Sequence, residues 1–95
     1  MLTMRTSAGL DERRRRLLLR AWRRGTREMD IILGPFANAE IETMSDADLE
    51  TFEALLGVED TDLQKWFLGQ MPVPEAFDTA LFRRVMALRV ANPLG

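Results

Sequence analysis

The stretch from Arg23 to Asp30, RRGTREMD, sets three arginines, a glycine and two acids within eight residues. Guanidinium groups pair with carboxylates or phosphates in a fixed, forked geometry, and a glycine lets another backbone approach closely. This is chemistry for recognition rather than for making bonds. The chain has no histidine, cysteine or tyrosine. The commonest general base, the commonest metal ligand, thiolate chemistry, disulfides and a phenolic acid are therefore missing. A catalytic centre would have to be built from Asp, Glu, Lys and Arg, and neither a catalytic residue nor a metal site is expected.

Other candidate sites have plainer explanations. The run Arg13-Arg14-Arg15-Arg16 invites a nucleic-acid reading, because phosphate contacts dominate such affinity. Four consecutive helical residues point in four directions, however, and only part of the run can face one surface. A solvated helix face ranks first, a protein-binding face second and nucleic acid last. Acids at Asp46, Asp48, Glu50, Glu53, Glu59, Asp60 and Asp62 lack the alternating spacing and central glycine of a calcium loop. Trp22 and Trp66 lie on apolar faces and read as core.

The elements that must position these residues are helical throughout. At 100° per residue, Leu10, Leu17, Leu18, Ala21 and Trp22 share one sector of a first helix over Leu10–Arg24, with Arg13, Arg16, Arg20, Arg23 and Arg24 opposite. Gly25 suits the left-handed residue that closes it. Thr26 caps a second helix to about Ile41, with Glu28 and Asp30 in the first turn, where the dipole favours acids. Met29, Ile32, Leu33, Phe36 and Ala37 keep one stripe across Gly34-Pro35, predicting a kink rather than a break. Ser45, with Asp48 in a capping-box position, opens a third helix that Gly57 stops. Asp60 or Thr61 caps a short fourth helix closed by Gly69. After the stiff connector Met71-Pro72-Val73-Pro74, a last helix packs Phe77, Leu81, Val85 and Leu88, and Asn92-Pro93 ends it. The expected fold class is all-α, a small compact bundle of five short helices.

The 95 residues make one domain: a flexible N-terminus over 1–9, a helical domain over 10–92 and a tail over 93–95. Net charge is −2, but the chain is two-ended. Residues 1–30 carry nine arginines against four acids, a balance of +5, while residues 31–95 carry four basic residues against eleven acids, −7. That acidic remainder argues against wrapping nucleic acid. No apolar run approaches the ~20 residues of a membrane span. The Arg-rich start has the flavour of a targeting peptide, but Asp11 and Glu12 interrupt it and structured helix follows directly. An uncleaved, cytoplasmic protein is the expectation.

Arg24-Gly25-Thr26-Arg27-Glu28 matches the R-G-x-x-E signature of the SdhE-type FAD assembly factors, and Arg23, Asp30 and ILGPFA (Ile32–Ala37) also resemble that family. SDADLETFEALL and DLQKWFLG are similar to its third and fourth helices, so the resemblance covers about residues 10–90. The first helix carries more arginine than the family pattern. The resemblance implies a five-helix bundle that is not itself an enzyme and holds no cofactor of its own. It implies binding to the flavoprotein subunit of succinate dehydrogenase, with the fumarate reductase subunit open as a further client, and assistance to covalent attachment of FAD to a partner histidine. A monomer acting as a chaperone-like clamp, without nucleic acid or membrane insertion, is expected.

Arg24, Gly25 and Glu28 inherit the signature's partner-binding role, with Arg23 and Asp30 as second-rank contacts. On chemical grounds Arg24 pairs with a carboxylate or settles negative charge near the flavin, and Glu28 orients a partner arginine or Arg24 itself. The rival from another class is a basic-helix nucleic-acid- or ribosome-associated regulatory module. A self-contained flavin transferase is a third possibility.

Overall fold

Thr26 and Ser45 each turn a side-chain oxygen toward the free N–H groups of a coming helix, and the chain becomes helical directly after both. Thr26 Oγ1 accepts from Met29 N at 3.4 Å and Ser45 Oγ from Asp48 N at 3.1 Å, each answering one orphan donor of a first turn. A computed structural model describes residues 3–91. The order is α1 (Glu12–Trp22), α2 (Arg27–Glu40), α3 (Asp46–Leu56), α4 (Asp60–Phe67), a 3-10 helix (Glu75–Phe77) and α5 (Ala80–Ala91). No strand occurs among the described residues, so the fold is the expected all-α bundle of five helices.

The helix ends follow from sequence as clearly as the starts. Gly69, at φ +72°, closes α4; Gly69 N donates to Trp66 O and Gln70 N to Lys65 O, the paired bonds of a Schellman closure. Gly57 ends α3 in a right-handed conformation instead, its N–H shared among the carbonyls of the last turn. Pro35 lies inside α2, which continues as one helix to Glu40.

Four boundaries differ from expectation: α1 starts at Glu12, with Asp11 as its N-cap, rather than at Leu10. α1 ends at Trp22, and Arg23 leaves the helix at φ −127°, ψ 52°, so Arg24 does not continue the polar face of the helix. Glu59, rather than Asp60 or Thr61, is the N-cap of α4 and makes no side-chain cap bond; the Asp60 carboxylate is occupied by residues from another part of the chain. Pro74 starts the separate 3-10 helix, and α5 begins only at Ala80. Phe77 thus packs from outside α5, its ring 5.3 Å from that of Trp66. The expected stop at Asn92-Pro93 and the tail over 93–95 lie outside the described residues.

Apolar stripes from all five helices meet in one core, in which Leu17, Leu33, Phe36, Phe52, Leu63 and Val85 are almost wholly excluded from solvent. α1 lies against α2 and α3, and α2 also touches α4 and α5. Trp22 is only half-buried. Its indole lies on the backbone of α2 at Gly34, where a Cβ would come within 2.5 Å of the ring. The indole Nε1 donates to Asn38 Oδ1 at 3.0 Å. Asn38 also accepts from Arg5 N and donates to Thr3 O at 2.7 Å, and so ties the segment that precedes α1 to α2.

Arg14 works as a clamp rather than as a solvated charge. Its Nε donates to Ile41 O at 3.0 Å and its Nη2 to Met44 O at 2.6 Å, placing a cation at the C-terminal end of α2, where free carbonyls and the dipole favour one. Its Nη1 donates to Asp11 Oδ1 at 2.8 Å, a bond that holds the Asp11 carboxyl below the usual carboxylate range. Among the described residues no helix is long and apolar enough to cross a membrane.

Candidate functional site

The corner between α1 and α2 turns on Gly25, whose φ of +94° suits a residue without a Cβ. A Cβ built there meets nothing within 4 Å. The requirement for glycine thus comes from backbone conformation, and the space above the corner is open. Arg23, Gly25, Arg27 and Glu28 are exposed around it.

Arg24 points the other way. Its side chain is 11% exposed and its guanidinium closes the C-terminal end of α3, donating to Leu56 O and Val58 O. It also reaches the first residue of α4: Nε lies 2.8 Å and Nη2 2.6 Å from Asp60 Oδ1. The carboxylate that Arg24 pairs with is therefore the chain's own. A planar fork with five donors suits this place, where carbonyls and a carboxylate converge at a helix end. Thr26 Oγ1 donates to the other Asp60 oxygen at 3.4 Å. Asp30 Oδ1 accepts from Arg24 N at 2.9 Å, closing the turn from the α2 side.

The five residues singled out in the sequence thus divide in two. Arg23, Gly25 and Glu28 face solvent; Arg24 and Asp30 hold the corner in shape from behind. Glu28 makes no side-chain hydrogen bond or ion pair with Arg24, and none with any described residue. Its carboxylate is presented rather than spent, at the start of α2, where the helix dipole favours it. The residues that periodicity did not single out for the site are Thr26, as a donor to Asp60, and Asp60 itself. The one local signal for Asp60 was an acid at a helix start, which reads equally well as a cap.

Beside the corner, Leu19, Arg20, Arg23 and Arg24 line a shallow groove of about 240 Å3. A second groove, of about 360 Å3, lies between α3 and the 3-10 helix. Glu50 is the one titratable residue lining it, so it offers no acid–base pair. Among the described residues no group of three or more His, Cys, Asp or Glu could hold a metal ion.

Comparison with known proteins gives a consistent picture. Residues 15–89 match the family model described as "Flavinator of succinate dehydrogenase", Sdh5. The chain is 42% identical over 77 residues to the FAD assembly factor SdhE of Acetobacter pasteurianus, covering 81% of this chain and 71% of that protein. It is 37% identical over 65 residues to the SdhE of Haemophilus ducreyi, covering 68% and 79%. It is 33% identical over 86 residues to the mitochondrial succinate dehydrogenase assembly factor 2 of Dictyostelium discoideum, covering 90% of this chain and 61% of that one. No solved structure matches. With its corner signature in place and the family model reaching from within α1 to within α5, the chain belongs to the SdhE/Sdh5-type FAD assembly factors, the flavinators of succinate dehydrogenase.

Proposed function

We propose that this protein binds the flavoprotein subunit of succinate dehydrogenase through the α1–α2 corner and promotes covalent attachment of FAD to a histidine of that subunit. The observation that carries the reading is the division of labour at the corner. Arg24 and Asp30 are consumed internally, while Gly25 and Glu28 are left exposed on a fixed backbone. The dipole at the start of α2 favours an acid at Glu28, but joining two helices does not by itself require that acid to stand unpaired beside an open glycine.

Bond-making belongs to the flavin and its host; the assembly factor supplies alignment. Having no histidine, this chain does not provide the nucleophile. It acts by binding the conformer in which the host histidine and the flavin ring are opposed more tightly than competing conformers, since equal binding to all of them shifts nothing. Gly25 admits partner backbone close to the corner, and Glu28 offers an acceptor to a partner N–H or guanidinium group. The test is the covalent flavin content of the partner subunit after incubation with wild type or with Gly25→Arg. The wild type raises the covalent fraction and the folded variant does not; equal fractions would contradict the reading. A fumarate reductase flavoprotein subunit in the same assay decides whether the client range extends to it.

A further inference from the structure

Six of the twelve arginines make an ion pair among the described residues. Arg5 meets Glu42, Arg13 meets Glu53, Arg14 meets Asp11, Arg24 meets Asp60, Arg83 meets Asp78, and Arg84 meets both Glu40 and Asp48. Arg16, Arg20 and Arg23, like Arg15 and Arg27, make no side-chain hydrogen bond or ion pair among the described residues, but the first three share a row. All three lie on one face of α1 and its end, at the i, i+4, i+7 spacing that aligns side chains along a helix. Leu19 sits in the same row, at i+3, and is one of the few large apolar side chains left exposed, at 37%. The row runs directly into the exposed corner at Gly25, and Leu19, Arg20 and Arg23 line the shallow groove beside it.

We propose that this outward face of α1, formed by Arg16, Leu19, Arg20 and Arg23, is a second docking surface, and that it takes an acidic segment of the flavoprotein partner. The inference rests on the reading of the corner as the partner-binding site and extends that contact along α1. The occupant's chemistry follows from the row itself. Three unpaired guanidiniums want carboxylates, and an apolar side chain between the acids covers Leu19. The row spans only about 10 Å at 1.5 Å per residue, long enough for a short acidic segment but too short to follow a nucleic-acid backbone over many phosphates. The remainder of the chain, at −7, repels polyanions that reach past the row. Charges of this kind act mainly on association rate, steering the partner before close contact forms.

The experiment follows association of the full-length protein with the cognate succinate dehydrogenase flavoprotein subunit by stopped-flow fluorescence from low to physiological salt. The variants are Arg16→Glu with Arg20→Glu, and separately Leu19→Ala. Because the Arg16 and Arg20 side chains make no hydrogen bond or ion pair among the described residues, the reversed variant keeps its helical circular dichroism and cooperative melting. Its association rate at low salt falls at least tenfold and loses most of its salt dependence. Leu19→Ala leaves the salt dependence intact and shortens the lifetime of the complex. A reversed variant that associates at the wild-type rate with the wild-type salt slope, while wild type still promotes flavin attachment, overturns this inference alone. Failure of wild type to associate at all overturns the corner reading and this one with it. Three parallel measurements test other occupants: phosphatidylglycerol vesicles, a 20-nucleotide RNA, and self-association by sedimentation. Tighter wild-type binding in any of these than to the subunit, abolished by the same charge reversal, would assign the row to that occupant and overturn the proposal.

Discussion

Arg24 and Glu28 belong to one short signature and do opposite work. The guanidinium of Arg24 stands between the end of α3 and the start of α4, and its loss leaves Asp60, itself 17% exposed, without its cation and two backbone carbonyls without their donor. Breaking such a pair costs about 3 kcal/mol, near the lower bound for fully buried pairs. That is a large share of the roughly 5 to 10 kcal/mol available to a domain of this size. Arg24→Ala is therefore expected to lower the urea midpoint markedly, with Arg24→Lys between it and wild type, because an ammonium is a point charge without the fork. Glu28→Ala removes only a dipole contribution of about 0.3 to 1 kcal/mol. Equal destabilisation by Arg24→Ala and Glu28→Ala would refute the division between scaffold and presented residue. Gly34 is the other position where a single atom matters. In a Trp66→Phe background, Gly34→Ala displaces the Trp22 indole, shifts its emission, and costs about 1 to 3 kcal/mol as overpacking does; an unchanged spectrum would show that the indole does not lie on that backbone.

At the scale of elements, α1 is the piece that organises the others. Arg14 closes the end of α2 and Arg24, just past the helix, closes the end of α3, so one basic element answers the free carbonyls of two neighbours. Arg14→Ala is predicted to cost about 1 to 3 kcal/mol, the penalty for leaving such acceptors without a partner. Hydrogen exchange is expected to rise first in the last turn of α2 and the α2–α3 connection, and uniform acceleration across the molecule would argue against a local clamp. The helices themselves were legible in the sequence, because apolar spacing and the caps at Thr26, Ser45 and Gly69 are decided among residues within a few positions of one another. The exposed corner was legible too, through Gly25 and the acids of the first turn of α2. What the same rules could not reach are partnerships across long stretches of chain. Arg24 with Asp60 is separated by 36 positions and Asn38 with Thr3 by 35, and nothing in local periodicity encodes either. The misplacement of Phe77 has a similar origin. Pro74 marks a helix start correctly, but the chain makes one 3-10 turn over Glu75–Phe77 and starts again at Ala80.

For the whole molecule, the separation of charge seen in the sequence becomes a separation of tasks. Intrachain ion pairs draw acids from the second part of the chain onto Arg5, Arg13, Arg24 and Arg84, while Arg16, Arg20 and Arg23 on the outward row of α1, and Arg27 and Glu28 at the corner, keep no side-chain partner among the described residues. On the proposed reading, that side of the bundle is the one another molecule meets. If that molecule is the flavoprotein subunit, the corner governs what the complex achieves, and the row along α1 governs how fast it forms. Gly25 is the residue at which the proposed contact role of the corner separates most cleanly from its role in the fold. A Cβ there meets nothing within 4 Å, so the main cost to the free fold is backbone strain of about 1 to 2 kcal/mol, while the added bulk stands in the space where a partner is proposed to dock.

The most direct measurement is the fraction of the succinate dehydrogenase flavoprotein subunit carrying covalent FAD, read by fluorescence of the denatured subunit, at matched concentrations of wild type, Gly25→Arg and Glu28→Ala. Circular dichroism and cooperative melting run in parallel to show that each variant is folded. The account predicts that wild type raises the covalent fraction and that both variants, though folded, leave it near the level without any factor. Two folded variants that drive flavin attachment at the wild-type rate would reduce the corner to a connection between helices and contradict the central claim.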